Sequence, residues 1–342
     1  MEWLYLVVGL GLIFLAAELF TNAIEWFGKR LDLSEGAVGS VLAAVGTALP
    51  ETSVALVGVL MGAVASSSHK GIDPHTEAGI GAILGAPMML STLAMFITGL
   101  SVIAFASMKK RTNQISASYA VVGRDLRNFF LVYILALVAA IGPFRQARYL
   151  IAVLLLIIYV VYVYRTFKCP ECGPKEEHMR PLHFHRSVRV PRLRWVVTQL
   201  VAGLALMIIG AEEFVRNVTA VAQSVGVSPL VLSLIITPIA TELPEKFNSI
   251  TWMRHKKDTL ALGNITGAMV FQSSILPAVG MLFTPWILDE AAVVSIVVAL
   301  LASAIIGVEM TVRKRLSPYS LLIGGVLYLL YPLWVFVISP VK

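Results

Sequence analysis

Apolar residues recur along the chain in long runs that short polar or charged gaps separate. No run shows the strict alternation of apolar and polar residues that is typical of membrane β-barrel strands. As helices, the runs can cross a hydrocarbon core of about 30 Å, the fourth being the shortest. The pattern therefore predicts an all-α membrane protein with ten transmembrane helices. The predicted spans are 4–27, 36–65, 77–106, 128–142, 148–166, 195–221, 228–253, 259–284, 288–311 and 319–339.

Composition supports a membrane protein. Hydrophobic residues make up 58% of the 342 residues, whereas charged residues make up only 14%. A soluble domain has about a quarter of its residues charged, and a disordered chain has low hydrophobicity, so both classes are excluded. The net charge of +7 does not indicate nucleic-acid binding, because most Lys and Arg residues lie in the gaps between apolar runs. The expected partners are the lipid bilayer and inorganic cations.

The distribution of basic residues predicts the orientation. By the positive-inside rule, the gaps rich in Lys and Arg face the cytoplasm. Both termini are then extracytoplasmic, which agrees with an even number of spans. We expect a multi-pass protein of the plasma (inner) membrane of a prokaryote. The basic gaps contain residues 29–30, 109–111, 124–127, 168–194, 254–257 and 313–315.

An internal repeat is the most informative feature of the sequence. A shift of 194 residues superimposes the segment around Pro50-Glu51 on the segment around Pro244-Glu245 without a gap from residue 17 to 51. Each half contains five predicted spans, and five is odd, so the second half enters the membrane from the opposite side. The sequence thus predicts two inverted-topology repeats of five helices. We assign residues 1–166 to the first repeat, 167–194 to a cytoplasmic linker and 195–342 to the second repeat.

Each repeat carries a Pro-Glu pair near the middle of its second span. A carboxylate at that depth is costly unless it is paired, hydrated or bound to a cation. The proline also leaves the carbonyl four residues earlier without its helical donor, and these carbonyls belong to Gly46 and Ala240. Carboxylate, carbonyl and Thr oxygens together suit a hard cation. The alternative is a kink whose acid pairs with a basic residue such as Lys246.

Runs of small residues follow in the third and eighth spans. Residues 79–87 and 261–269 both place glycines four residues apart, which allows helices to approach closely. On its own this is a packing signal. The runs are also candidates for a functional role, because each one follows a Pro-Glu span in the same half.

The paired motifs resemble the alpha-repeats of the calcium/cation antiporter superfamily, which includes the sodium/calcium exchangers and their proton-coupled relatives. The family reads Gly-Thr-Ser-Leu-Pro-Glu, followed by Gly-Asn-x-x-Gly-Ser-Asn. The resemblance implies that Glu51 and Glu245 are the central cation ligands and that spans 1 and 6 slide past the core. The further ligands are expected to be Gly46 and Ala240 through their carbonyls, and Thr47, Thr241, Glu242, Asn264 and Gln272 through their side chains.

Departures from the family motif bear on the coupling ion. Several oxygens expected to hold sodium are missing, since the corresponding residues are Ala48, Ala86, Leu90 and Ala268. The remaining oxygens suit one divalent ion better than several sodium ions. Clustered acids repel one another, so at least one should take up a proton when the metal leaves. We therefore favour H⁺ over Na⁺ as the counter-ion.

Two secondary hypotheses concern groups outside the repeated motifs. Glu18, Glu212 and Glu213 lie in spans 1 and 6 and are candidates for a proton relay, although they could equally line the wet side of the bundle. The linker contains a single Cys-x-x-Cys with nearby histidines, a weak signal for a tetrahedral Zn²⁺ site. A solvated basic linker is the simpler interpretation, and we expect it to be dispensable for transport. The candidate zinc ligands are Cys169, Cys172, His178, His183 and His185.

These features favour a secondary-active antiporter that exchanges Ca²⁺ for H⁺ or Na⁺ by alternating access. The first alternative keeps the fold but moves Mg²⁺ or Mn²⁺, or exchanges Na⁺ for H⁺. The second is a channel or a metal-sensing membrane protein that uses the Cys/His linker. No nucleophile-base pair, phosphate loop or cofactor motif occurs, so neither an enzyme nor a bound cofactor is expected.

Overall fold

The computed structural model describes residues 2–30, 45, 48–65, 73–168, 181–186, 191–254, 256 and 258–338. Within these ranges the chain is helical and contains no β-strand, only one isolated bridge between Ile115 and Leu316. The fold class is therefore all-α, as predicted. The helices are α1 (Glu2–Arg30), α2 (Leu49–Ala65), α3 (Pro74–Ser107), α4 (Tyr119–Val138), α5 (Arg148–Phe167), α6 (Leu193–Val225), α7 (Pro229–Thr241), α8 (Leu243–Arg254), α9 (Asp258–Phe283), α10 (Glu290–Arg313) and α11 (Pro318–Leu333).

Among the described residues, six helical segments are long and apolar enough to cross a membrane. They are Pro74–Ser107, Pro143–Phe167, Leu193–Val225, Ala261–Phe283, Glu290–Arg313 and Pro318–Val337. Two shorter apolar stretches lie in α1 and α2. Large apolar side chains such as Leu150, Val160 and Leu329 are exposed on the outer surface. This surface suits lipid rather than water.

The fourth helix begins at Tyr119, whereas hydropathy predicts a short span from about residue 128. Arg124 and Asp125 reduce the hydropathy of this segment, and residues 124–127 are one of the basic gaps assigned to the cytoplasmic side. In the structure Asp125 is buried, and three side chains form hydrogen bonds to its carboxylate. These bonds replace the hydrogen bonds that water would otherwise provide. The helix therefore extends through the charged segment.

The long helices α1 and α6 pack against each other along their length. Gly9 and Gly210 allow the backbones to approach: a Cβ at Gly210 would lie 3.0 Å from the Gly9 carbonyl oxygen. Farther along the pair, Gly203 faces the backbone of Phe20 in the same way. Small residues at a helix contact allow close backbone packing without specific side-chain interdigitation.

Helices α3 and α9 lie at the centre of the packed helices. Helix α3 packs against α2 and α7, and α9 packs against α2, α3, α4, α5 and α8. Residues 78–92 of α3 and most of α9 are buried. The buried polar residues of α9 are Asp258, Asn264, Thr266, Gln272, Ser273 and Ser274.

The small-residue run of α3 forms a close contact with α7. Gly81 faces the backbone of Leu230, and a Cβ on Gly85 would collide with the Leu234 carbonyl oxygen. Pro238, also in contact with Gly85, lacks the amide that would otherwise bond to that carbonyl. The structure thus confirms close helix approach at the first run.

Substituting Gly85 should disturb this contact. We expect Gly85→Ala to destabilise the protein by about 1–3 kcal/mol, because the added methyl group overpacks the α3–α7 interface. Gly11 in α1 is the matched control, since a Cβ added there would have no neighbouring atom within 4 Å. Gly11→Ala should be neutral or stabilising by up to about 1 kcal/mol. Thermal unfolding of both purified variants in detergent checks this, and equal melting temperatures would contradict the packing account.

Candidate cation site

Glu51 lies in the first turn of α2 and is 1% exposed. The turn is stabilised locally: the Thr52 hydroxyl donates to the Ala48 carbonyl at 2.6 Å, and the Ser53 hydroxyl donates to the Pro50 carbonyl at 2.7 Å. The motif therefore begins a helix whose first acidic side chain is buried in the protein. Gly46 and Thr47 lie outside the described residues.

The second motif lies at a break between two helices. Helix α7 ends at Thr241, Glu242 has φ −94° and ψ 1°, and α8 begins at Leu243. Pro238 and Pro244 flank the break and remove two helical donors. The backbone of Ala240 and Glu245 lies beside this break. The side chains of Ala240, Thr241 and Glu245 lie outside the described part of the structure.

Glu242 forms an ion pair with Lys246 one helical turn later. The Lys246 Nζ lies 2.7 Å from Glu242 Oε2, and the side chains are only 3% and 0% exposed. The i,i+4 spacing puts both groups on one face of the helix. The sequence analysis considered Lys246 as a partner for the acid of a Pro-Glu motif. In the structure Lys246 is bonded to Glu242.

Two predicted amide ligands lie in α9. Asn264 and Gln272 are both buried, at 3% and 0% exposure. Neither the amide oxygen nor the amide nitrogen of Gln272 has a hydrogen-bond partner among the described residues. Burying such a group without a partner is costly.

The three relay candidates lie on the surface of α1 and α6. Glu18 is 59% exposed and lies 3.6 Å from the His183 ring, and Glu212 pairs with Arg216 at 2.6 Å. Glu213 is also exposed and lies beside Asn217. The structure does not gather them with the buried acids, and their role in proton transfer stays a prediction.

The described part of the linker is docked rather than fully solvated. Asn22 of α1 donates to the Pro181 carbonyl at 3.3 Å, and its side-chain oxygen accepts from the His183 amide at 3.1 Å. Gln199 of α6 accepts from the Phe184 amide at 2.8 Å. His183 lies near Arg186, whereas His185 stacks on Trp195. No cluster of three metal-ligating side chains occurs among the described residues, and Cys169, Cys172 and His178 lie outside them.

Asp125 is a buried acid that the sequence analysis missed. Its carboxylate accepts hydrogen bonds from Tyr162 at 3.1 Å and Thr266 at 2.9 Å, and Arg124 lies at 3.0 Å. These bonds connect α4 to α5 and α9. Asp125 therefore holds the central helix α9 against the peripheral helices. Asp125 lies between Arg124 and Arg127 in a basic gap, so its sequence context does not indicate a buried acid.

The sequence analysis also did not predict a buried ion pair at the start of α9. Arg111 donates to both carboxylate oxygens of Asp258 at 2.8 Å, and both side chains are 2% exposed. Arg111 also donates to the carbonyls of Met253 and Gln114, at 2.6 and 2.7 Å. The sequence suggested only a topological role for Arg111. Its partner is distant along the chain, so no local pattern indicates the contact.

Helices of this length and lipid-compatible surface, with acids buried between them, define a multi-pass helical membrane protein. A sequence profile of the sodium/calcium exchanger protein family matches residues 1–168 and 195–339. The chain belongs to this family. The resemblance inferred from the Pro-Glu repeats is thereby confirmed.

Individual relatives support the assignment. The putative antiporter CaxA of Alkalimonas amylolytica is 24% identical, covering 84% of this chain and 83% of CaxA. The crystal structure of the H⁺/Ca²⁺ exchanger CAX is similar in fold with a TM-score of 0.77 and 16% identity, covering 98% of this chain and 82% of that one. The sodium–calcium exchanger NCX_Mj has a TM-score of 0.58 and 21% identity, covering 100% and 98%.

Proposed function

We propose that the protein is a secondary-active antiporter that exchanges Ca²⁺ for H⁺ or Na⁺ across the membrane by alternating access. The observation that carries this proposal is the burial of Glu51 at the first turn of α2, with a matching Pro-Glu pair at the start of α8. Buried membrane acids are costly and usually bind ions or protons. The names of the relatives CaxA, CAX and NCX_Mj support exchange of cations.

We further propose that ten helical spans form two inverted repeats, 1–166 and 195–342, joined by the linker 167–194. The corresponding order of helices around the two Pro-Glu motifs supports this arrangement. In this arrangement α1 and α6 would slide as a pair past the central helices, a motion that their glycine-rich contact suits. Both termini would be extracytoplasmic, in the plasma membrane of a prokaryote, by the positive-inside rule.

The proposed ligands come from the two Pro-Glu motifs and from α9. Glu51 and Glu245 supply the two central carboxylates. Gln272 supports the site through its buried amide, which has no partner among the described residues. The remaining proposed ligands are Gly46, Thr47, Ala240, Thr241, Glu242 and Asn264.

H⁺ is the proposed counter-ion. Two carboxylates match the charge of one divalent ion, and they repel each other when that ion leaves. Protons relieve this repulsion without any further binding site. Sodium would need several more oxygens, and alanine or leucine occupies the family positions at 48, 86, 90 and 268.

Transport by the purified protein in proteoliposomes tests the counter-ion. We expect an imposed pH gradient to drive Ca²⁺ uptake, and Na⁺ added at constant pH to change that uptake little. Uptake of Mg²⁺ and Mn²⁺ under the same pH gradient tests the alternative cargo. Saturable dependence on Na⁺ without any response to pH would overturn H⁺ coupling and favour sodium exchange.

A further inference from the structure

Lys246 places a buried positive charge beside the second Pro-Glu motif. Its ammonium group is buried and lies 2.7 Å from the carboxylate of Glu242, at the break between α7 and α8. Lys246 follows Glu245, one of the two proposed central ligands, directly in the chain. The ion pair thus spans the helix turn whose backbone contains Glu245.

The pair occurs in only one of the two repeats. The shift of 194 residues that aligns the Pro-Glu motifs also aligns Glu242 with Ala48 and Lys246 with Thr52. In the first repeat these positions are neutral, and the Thr52 hydroxyl donates to the Ala48 carbonyl. The second repeat therefore differs by an acid and a base together, with no change in net charge.

Stability alone does not explain this pair. Removing two charges from water costs free energy that their attraction often only balances, and replacing a buried pair by apolar residues is often neutral or stabilising. The cost is greater within a membrane protein, where ionisable residues usually have functional roles. A role in ion binding accounts for both the location and the asymmetry of the pair.

The number of charges indicates that role. Glu51, Glu242 and Glu245 would together carry three negative charges, enough for one divalent and one monovalent cation. The Lys246 ammonium neutralises one of them and leaves two, which match one divalent ion. A lysine ammonium carries the same charge as a bound Na⁺ and bonds to the same carboxylate oxygens.

We infer that Lys246 is a tethered cation that replaces one transported monovalent ion at Glu242. The inference rests on the proposed function, because it assigns a coupling role to a residue of that site. The ammonium stays with Glu242 through the transport cycle, whereas a free ion would be released. Lys246 thereby excludes Na⁺ from this position and reduces the number of ions that accompany the divalent cation.

Binding of ²²Na⁺ to the purified full-length protein tests the inference without relying on Ca²⁺ transport. We expect Lys246→Met to bind more Na⁺ than the wild type at the same concentration, because Glu242 becomes available to a free cation. Glu242→Gln/Lys246→Met should return Na⁺ binding to the wild-type level. A folded Lys246→Met variant with unchanged Na⁺ binding would overturn the inference.

Ca²⁺ binding provides a second measurement that does not require the single Lys246 variant to fold. Glu242→Gln removes the acid that neutralises the ammonium, so Ca²⁺ affinity should fall several-fold, and adding Lys246→Met should restore much of it. Equal Ca²⁺ affinities in these two variants and the wild type would also contradict the inference. Failure of the wild type to bind Ca²⁺ would instead contradict the proposed function, while the Na⁺ measurement would still decide the role of Lys246.

Discussion

Replacing Glu51 or Glu245 by glutamine should abolish cation exchange while the protein still inserts and folds. Glutamine preserves the size of the side chain but removes the negative charge that would balance a divalent ion. Glu51 is buried, so no exposed surface group can take its place. Ca²⁺ uptake into proteoliposomes should fall to the level of protein-free vesicles for both variants.

Glu290→Gln is the matched control for this loss. Glu290 lies in the first turn of α10 and is exposed, so neutralising it should leave uptake close to that of the wild type. Size-exclusion profiles in detergent should be alike for all three variants. Near-normal Ca²⁺ uptake by either Glu51→Gln or Glu245→Gln would contradict the assignment of the site.

Replacing Arg111 by alanine should cause a large loss of stability, on the order of 3–5 kcal/mol. The substitution would leave the Asp258 carboxylate buried without its bidentate partner, and an unpaired buried charge is strongly destabilising. It would also remove donors to the Met253 and Gln114 carbonyls. Denaturation of the purified protein in detergent measures the change.

Arg216→Ala is the control for the Arg111 substitution. The Arg216 side chain is 59% exposed and lies 2.6 Å from the Glu212 carboxylate, which is 45% exposed. Exposed pairs contribute about 0–1 kcal/mol, so this variant should unfold nearly as the wild type does. Equal free energies of unfolding for the two variants would show that burial of the Arg111–Asp258 pair does not determine how much the pair stabilises the protein.

Local patterns in the sequence are sufficient to predict the all-α fold class and to identify the two Pro-Glu motifs. Apolar runs predict helices because only helices or closed barrels satisfy the backbone in lipid. The same approach placed the start of α4 too late, because hydropathy counts Arg124 and Asp125 as exposed. The hydrogen bond from the Tyr162 hydroxyl to Asp125 is a tertiary contact that hydropathy does not represent.

The polar contacts of the core were harder to predict. The Glu242–Lys246 pair has i,i+4 spacing, so a helical reading of that turn could have indicated it. The Arg111–Asp258 pair joins the segment after α3 to the start of α9. No sequence spacing relates two residues so far apart, because only the packing of helices brings them together.

Uphill Ca²⁺ accumulation is the measurement that tests antiport most directly. Proteoliposomes containing the wild-type protein receive an imposed gradient of H⁺ or of Na⁺, with ⁴⁵Ca²⁺ supplied only outside at the start. An exchanger should raise internal ⁴⁵Ca²⁺ above the external concentration when the membrane potential is clamped to zero, and an ionophore that collapses the driving gradient should release the accumulated ion. Equilibration of ⁴⁵Ca²⁺ without accumulation under either gradient would contradict antiport and indicate a passive channel.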